Sequence, residues 1–426
     1  MKINKLAVSA VAVFFAVSAV AAQTPDFDWY VAGPGEIKSI YTISTADELA
    51  GLAEIVNGSN RLSTIDSFFG KTITLTADID LSEYDNWTPI GIPMEHPLYK
   101  ASSPPVVILP GMFRGKFDGG GHVIRNLTIN RNASFQGLFG YIQDAEVKNL
   151  GLENISISVG ANVAGGIAGA ADWSLIANCY TTGAVGGLSR IGGIVGVLTG
   201  GTVSNCYSAA GVDGFDHVGG IVGLSIEGLV RNSAALNPYV ESISGDNGAL
   251  GRVAGWASHR PLPDDYTMQL FSNNVAYAQM GGVWVNIGAD KRDGQGIGID
   301  GINMVPDLFG LFLPESGWAL QSGKLPGLNG NPVEMPEHLR INASVKRPAH
   351  RQPAGAQFVT VSGRTLNLRL AERGSVGIYA LNGARVRTFD LSGGTHTLRL
   401  NDLPRGVYAV RAKSGAWKQS ARVVVK

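Results

Sequence analysis

The chain has 426 residues, enough for two or three domains, and only 16% of them are charged against a usual quarter. Apolar residues make up 45% and glycines number 57, which excludes a largely disordered protein and favours β-structure with glycine turns. Lysine plus arginine balances aspartate plus glutamate at 34 each, but residues 351–426 hold 13 basic and 3 acidic side chains (+10), which leaves −10 for residues 1–350. The basic segment carries no aromatic-basic motif, so we predict a separate domain and no nucleic-acid partner.

The N-terminus has the pattern of a secretory signal peptide. Lys2 and Lys5 precede the apolar run 6–20, and small residues follow up to Ala22. We predict a signal peptide over residues 1–22, cleaved after Ala22 or after Ala21. The run is short for a membrane span and no second long apolar run follows, so we expect an exported mature chain without a transmembrane span.

Residues 45–58 predict a short helix. Thr45 and Glu48 have the spacing of a capping box, and Asn57-Gly58 has the composition of a C-cap. Four apolar residues follow helical spacing: Leu49, Leu52, Ile55 and Val56. We expect this helix to cap the first coil of the structure that follows.

A repeat of about 27 residues dominates the middle of the chain. The glycines that close its short apolar strands are Gly140, Gly169, Gly196 and Gly223, at steps of 29, 27 and 27 residues. Nine residues after each closing glycine stands an asparagine: Asn149, Asn178, Asn205 and Asn232. A further copy closes at Gly255, and its asparagine comes late, at Asn273 or Asn274.

Each repeat contains three short apolar strands separated by glycine turns, and none contains an amphipathic run long enough for a helix. This pattern predicts an all-β fold, a right-handed parallel β-helix with one repeat per coil and ~4.8 Å between coils. Each coil then buries its apolar face against its neighbours. The four asparagines should form one structural ladder, because asparagine tolerates left-handed turns and its side chains can bond along the column. Residues 307–328 can close the far end.

Cys179 and Cys206 share one position in consecutive repeats and should therefore be neighbours. Their expected Cα separation of ~4.8 Å lies within the disulfide range. Parallel, in-register side chains are poorly angled for such a bond, so we favour two inward free thiols and keep the disulfide as the alternative.

The pattern changes after the repeats. Five prolines mark a linker that we place at residues 331–355, after a β-helix domain over residues 23–330: Pro326, Pro332, Pro336, Pro348 and Pro353. Residues 356–426 contain six or seven alternating segments, which predicts a small Ig-like β-sandwich. We expect it to fold independently of the repeats.

The repeats resemble the GLUG-type repeat of bacterial exported proteins. The resemblance rests on "GLFG" at 137–140, "GGIAG" at 165–169, "GGIVG" at 192–196 and 219–223, and the Asn-Cys-Tyr steps. It covers roughly residues 41–328. The resemblance implies a secreted or surface β-helix without implying an activity.

The tail resembles the C-terminal sorting domain of type IX secretion cargo. The matching stretches are "GSVGIYALNGARV" at 374–386, "LNDLPRGVYAVRA" at 400–412 and the final "VVVK". The resemblance implies passage through the periplasm of a Gram-negative bacterium to the outer surface or the medium. It also implies that residues 356–426 contact the outer-membrane secretion machinery.

Two groups of residues are candidates for a binding site. The first is a carboxylate cluster at the variable turn of adjacent coils: Asp213, Asp216, Glu241 and Asp246. The second is an insertion between Gly255 and Asn274, where aromatic and polar side chains suit sugar stacking: Trp256, His259, Arg260, Asp264, Asp265 and Tyr266. Exposed acidic turns and packed loops often have no function, and this interpretation stays open for both groups.

The sequence shows no nucleophile elbow, P-loop or zinc spacing, so we predict no catalytic residue, metal or cofactor. The glycine-rich segment 293–301 resembles a calcium-binding repeat only in a single copy, and we interpret it as a turn. The leading hypothesis is a non-enzymatic surface protein for adhesion or for binding a polysaccharide or a host or cell surface. The alternative is a polysaccharide lyase or hydrolase on the same scaffold.

Overall fold

A computed structural model of the chain describes residues 24–31, 38–60, 62, 64–92, 111–242, 249–258, 269–341, 358–362, 364–370, 372–380, 385–404, 406–414 and 417–425. The predicted signal peptide therefore lies outside the described residues. The predicted β-solenoid is confirmed and has about seven turns.

The first coils combine strands with one helix, as predicted. The elements are β1 (Ile40–Ile43), α1 (Ala46–Asn57), β2 (Thr72–Leu75), β3 (Ile79–Asp80), β4 (Lys116–Asp118), β5 (Val123–Arg125) and β6 (Thr128–Arg131). Thr45 and Glu48 form the capping box and Gly58 is the left-handed C-cap with φ 73°. The apolar stripe of α1 is fully buried in the solenoid core beside the terminal strand β1.

The central coils follow the predicted repeat. Their strands are β7 (Phe139–Gln143), β8 (Glu146–Val159), β9 (Ala164–Gly165), β10 (Ala168–Asp172), β11 (Leu175–Gly186), β12 (Ser189–Gly192), β13 (Val195–Thr199), β14 (Thr202–Ser204), β15 (Tyr207–Gly214), β16 (Asp216–Gly219), β17 (Val222–Ile226), β18 (Leu229–Arg231), β19 (Ala234–Ala235), β20 (Val240–Ser242), β21 (Leu250–Gly251), β22 (Ala254–Ser258), β23 (Phe271–Ser272), β24 (Val275–Tyr277) and β25 (Gln295–Ile297).

Parallel pairing between coils sorts these strands into three sheets. A long sheet of 16 strands contains β8, β11 and β15; a five-stranded sheet has the order β22-β17-β13-β10-β7; and a four-stranded sheet has the order β21-β16-β12-β9. The register pairs Phe139 with Ala168, Ala168 with Val195, and Val195 with Val222. These are the 29-, 27- and 27-residue steps that the closing glycines predict.

The asparagines occupy one left-handed column. Asn149, Asn178, Asn205 and Asn232 have φ between 47° and 53°, and the late asparagine of the next coil is Asn273, with φ 52°. The Asn178 amide donates to Asn149 Oδ1 at 3.2 Å, and Asn273 donates to Asn232 Oδ1 at 2.9 Å. Cys179 and Cys206 lie beside this column as buried free thiols.

The segment after the last coil does not close the far end, which corrects the expectation for residues 307–328. It contains α2 (Ile299–Met304), a 3₁₀ turn (Pro314–Ser316), an antiparallel sheet of β26 (Trp318–Ala319), β27 (Lys324–Leu328) and β28 (Asn331–Glu334), and a second 3₁₀ turn (Glu337–Leu339). We call residues 305–341 the lateral hairpin, because they run back along the outside of the long sheet.

Contacts define the course of the lateral hairpin. Leu311 O accepts the Asn205 amide at 2.9 Å, and Pro326 O accepts the Tyr207 hydroxyl at 2.6 Å. The hairpin turn at Asn329 packs against Gly121 in an early coil, and the chain then returns so that His338 bonds Leu236 O at 2.8 Å. Two aromatic rows, Tyr180 with Tyr207 and Phe312 with Trp318, pack between the two layers. The aromatic outer side of the long sheet favours covering by apolar chain over exposure to water.

The packed body extends past the boundary expected at residue 330. Met335 and Leu339 are buried in the solenoid core. The predicted linker over residues 331–355 is therefore packed as far as Leu339, and residues 342–355 lie outside the described residues.

The tail forms two antiparallel sheets with a core of its own. One sheet has the order β29 (Phe358–Ser362), β30 (Thr365–Leu370), β33 (Gly394–Arg399); the other has β32 (Arg385–Leu391), β31 (Gly374–Ala380), β34 (Gly406–Ser414), β35 (Trp417–Val425). Seven strands in this order are an Ig-like arrangement with the fourth strand moved to the second sheet. The Tyr408 hydroxyl donates to Pro404 O at 2.9 Å, the bond of a tyrosine corner.

Candidate functional site

The carboxylate cluster lies at the corner between β15 and β16. The register of β15 and β20 places Asp213 directly beside Glu241 on the next coil. The ring of Tyr239 lies against Gly211, where a Cβ would come within 2.4 Å of it. Burial, with the nearby Asp213 and Glu241 carboxylates, raises the pKa of Tyr239. Asp246 lies outside the described residues, so the structure describes three of the four predicted acids.

Asp216, the third of these acids, orients a histidine that the sequence analysis missed. Asp216 Oδ2 lies 2.5 Å from His217 Nδ1, and His217 has a left-handed backbone with φ 53°. A carboxylate on one ring nitrogen fixes the orientation of the imidazole and leaves the other nitrogen for a ligand. The signal for His217 was its position directly after a predicted acid.

His217 joins the two candidate groups. Its ring centroid lies 6.2 Å from that of Trp256, with an angle of 71° between the ring planes. Trp256 is in register with the half-buried Leu224 of the preceding coil, and its side chain is 42% exposed. Gly255 allows this approach, since a Cβ there would come 2.6 Å from the His217 backbone. The other residues of the predicted insertion lie outside the described residues: His259, Arg260, Asp264, Asp265 and Tyr266.

A second exposed indole lies at the opposite border of the five-stranded sheet. Trp173 is 56% exposed and has φ 50°. Three adjacent atoms of its ring would lie 2.6–2.8 Å from a Cβ at Gly200, so the indole lies flat over that glycine of the next coil. Asp144 and Glu227 occupy the same corner position in other coils and are also left-handed. That shared position, four residues after the closing glycine, was the sequence signal that could have found Trp173.

The outer side of the five-stranded sheet connects the two indoles. Its register aligns Tyr141, Ala170, Val197, Leu224 and Trp256 in one column. We call this surface, together with its two borders, the five-stranded face. Val197, Leu224 and Ile226 are half-buried on it. The Tyr141 hydroxyl donates to Asp172 Oδ2 at 2.5 Å; burial raises the pKa of Asp172, and this hydrogen bond opposes the shift. The face is thus apolar and aromatic along its middle, with polar groups at its borders.

Within the part of the chain that the structure describes, no group of three or more His, Cys, Asp or Glu side chains could hold a metal ion. Asp293, in the glycine-rich segment, is buried, and its carboxylate accepts the backbone N–H groups of Arg252, Val285 and Asn286. This carboxylate shapes a turn. In the same described residues, no helix has the length and apolar character to cross a membrane.

Comparisons with known proteins give one family match and two partial likenesses. Residues 362–426 match the secretion system C-terminal sorting domain. Halomucin of Haloquadratum walsbyi is 36% identical over 163 residues, 37% of this chain but 2% of that protein, so the match covers a small fraction of its length. A solved structure from Bacteroides ovatus, provisionally described as an immunoglobulin A1 protease, has a TM-score of 0.46 and 20% identity and covers 69% of this chain and 92% of that one.

The sorting domain establishes how the protein travels. The chain is an exported protein with a type IX sorting tail, directed to the cell surface or the medium.

Proposed function

We propose that the protein is a non-enzymatic, surface-delivered solenoid that binds extracellular carbohydrate through its five-stranded face. The observation that carries the proposal is the exposed indole of Trp256 beside an imidazole that Asp216 holds in place. An aromatic ring supplies a flat apolar surface for a sugar ring, and nearby polar groups can fix the sugar hydroxyls. Adhesion to a polysaccharide or to a glycan-coated cell follows from such a surface on an exported protein.

The test is affinity electrophoresis of the mature protein in gels that contain candidate polysaccharides, combined with a glycan array. We expect retardation by at least one polysaccharide and its loss in Trp256→Ala. Phe309→Ala is the matched control, because Phe309 is 58% exposed but lies in the lateral hairpin, outside the five-stranded face. Equal retardation of both variants, or binding to no glycan, would contradict the proposal.

The alternative is a polysaccharide-acting enzyme at the β15–β16 corner. The observation that favours it is the direct register of Asp213 and Glu241 on neighbouring coils, because paired carboxylates perform glycoside hydrolysis. A reducing-sugar assay with every polysaccharide that binds separates the two functions. Release that disappears in Asp213→Asn and Glu241→Gln establishes the enzyme, and binding without release supports the non-enzymatic protein.

A further inference from the structure

The two exposed indoles stand at a fixed separation on one rigid surface. Trp256 is in register with Leu224, Val197 and Ala170, and Trp173 follows Ala170 by three residues. Three sheet steps of ~4.8 Å and three residues of ~3.3 Å along the strand separate the two Cα atoms by about 17 Å. A single sugar ring cannot contact both indoles, but an extended chain of several sugars can.

The surface between the indoles suits the apolar face of a sugar chain. Thr199 of β13 and Leu224 and Ile226 of β17 lie in the two coils between Trp173 and Trp256, and all three are half-buried. Leu224 and Ile226 contribute apolar contact area, and Thr199 adds one hydroxyl beside Asp172. Polar groups for sugar hydroxyls lie at the two borders.

The charges at the borders select against an acidic chain. Asp172 precedes Trp173 in the chain, Asp144 occupies the same corner position one coil before it and Glu227 two coils after it, and the nearby Arg114 is paired with Asp144 at 2.8 Å. At the other border the His217 imidazole is paired with Asp216, and Arg190 occupies the position of His217 in the preceding coil. Asp144, Asp216 and Glu227 outnumber Arg114 and Arg190 at the two borders, so a uronate or a sulfate would meet a net negative surface and be repelled.

From these observations we infer that the five-stranded face is a two-platform site for an uncharged, extended oligosaccharide, which contacts Trp173 at one end and Trp256 at the other. This inference rests on the proposed carbohydrate binding and adds the length, the direction and the charge class of the ligand. Linking two contacts on one chain makes the second contact intramolecular, so affinity rises steeply once the chain spans both indoles.

The experiment is calorimetric titration of the full mature protein with oligosaccharides of two to eight units. The probes are the cello-, xylo- and manno-oligosaccharide series and, as the acidic series, oligogalacturonates. We expect at least one neutral series to gain tenfold or more in affinity at the length that first spans the indoles, and little beyond it. Trp173→Ala and Trp256→Ala should each abolish that gain while leaving binding of the shortest oligomers at the intact platform, and Phe309→Ala should preserve it.

The outcomes separate this inference from the function on which it rests. Neutral oligomers that bind without a length-dependent gain, or a gain that survives Trp173→Ala, overturn the two-platform site and leave carbohydrate binding standing. Tighter binding of oligogalacturonates than of the neutral series overturns the inference that the ligand is uncharged. Binding of none of the four series overturns both the inference and the proposed function.

Discussion

Asn205 gives a sharp test of why asparagine recurs in every coil. Its backbone is left-handed with φ 52°, and its amide donates to Leu311 O of the lateral hairpin at 2.9 Å. Asn205→Gly keeps the left-handed conformation without strain and removes the side-chain bond. Asn205→Ala removes the same bond and also places a Cβ in a conformation that L-residues avoid.

The two substitutions should cost different amounts of unfolding free energy. The lost hydrogen bond costs about 0.5–1.5 kcal/mol in both. Alanine adds about 1–2 kcal/mol for the left-handed backbone, whereas glycine adds about 0.5–1 kcal/mol through the greater freedom of the unfolded chain. The Asn205→Gly variant should therefore be up to about 1.5 kcal/mol more stable than the Asn205→Ala variant. This order is the reverse of the one expected in an extended strand.

Urea unfolding followed by tryptophan fluorescence measures this order, since six of the seven tryptophans precede residue 342. The control is the same pair of substitutions at Thr202, in the extended strand β14, where alanine should be the more stable by about 0.5–1 kcal/mol. If Asn205→Ala is also more stable than Asn205→Gly, the left-handed backbone does not explain why asparagine stands at this position. If Asn205→Gly costs nothing, the bond to the lateral hairpin contributes nothing.

Three further predictions concern the lateral hairpin and the tail. A chain that ends after Ile341 should keep the urea midpoint of the solenoid, whereas one that ends after Pro336 should lose stability, because it lacks the buried His338 and Leu339; equal midpoints would contradict the packing described here. Burial lowers the pKa of His338, so the unfolded chain takes up its proton first, and the urea midpoint should fall as pH drops through the ordinary histidine pKa of 6.5. His338→Gln keeps an N–H donor for Leu236 O and should weaken that pH dependence; an unchanged slope would refute the assignment. In the native host, the chain that ends after Ile341 should remain in the periplasm, and its normal appearance in the medium would show that the tail does not direct export.

The sequence was sufficient to predict the repeating coil and the helix that caps it. Gly140, Gly169, Gly196 and Gly223 recur because each allows the close backbone approach between coils, and a repeated steric need leaves a repeated residue. The capping box of Thr45 and Glu48 was equally readable, because its bonds are local in sequence. The seven-stranded tail followed from alternation and turn residues.

The course of the lateral hairpin could not be predicted in the same way. Its contacts join Leu311 to Asn205 and His338 to Leu236, separations of about a hundred residues with no repeated pattern. A segment without repeats after a solenoid can cover an end or a side with the same apolar composition. The choice depends on the aromatic outer side of the long sheet at Tyr180 and Tyr207, which strand periodicity alone does not reveal.

The candidate site was predicted in fragments. Asp216 and Trp256 were named from separate arguments, and only the pairing of coils shows that His217 lies between them. Trp173 could not be predicted in the same way, because its corner position carries Asp144, Gly200 and Glu227 in other coils and no aromatic residue recurs there. Its exposure depends on Gly200 in the next coil, a contact between residues 27 positions apart.

The most direct test of the binding face is an NMR measurement on the indole N–H groups of the mature protein, which contains all seven tryptophans. Single Trp→Phe variants assign the signals, and a neutral oligosaccharide that binds is then added. We expect the signals of Trp173 and Trp256 to shift together with one saturation curve, while those of the buried Trp29, Trp87 and Trp318 stay in place. Saturable binding that leaves both exposed indoles unshifted would contradict the account and place the carbohydrate site on another surface.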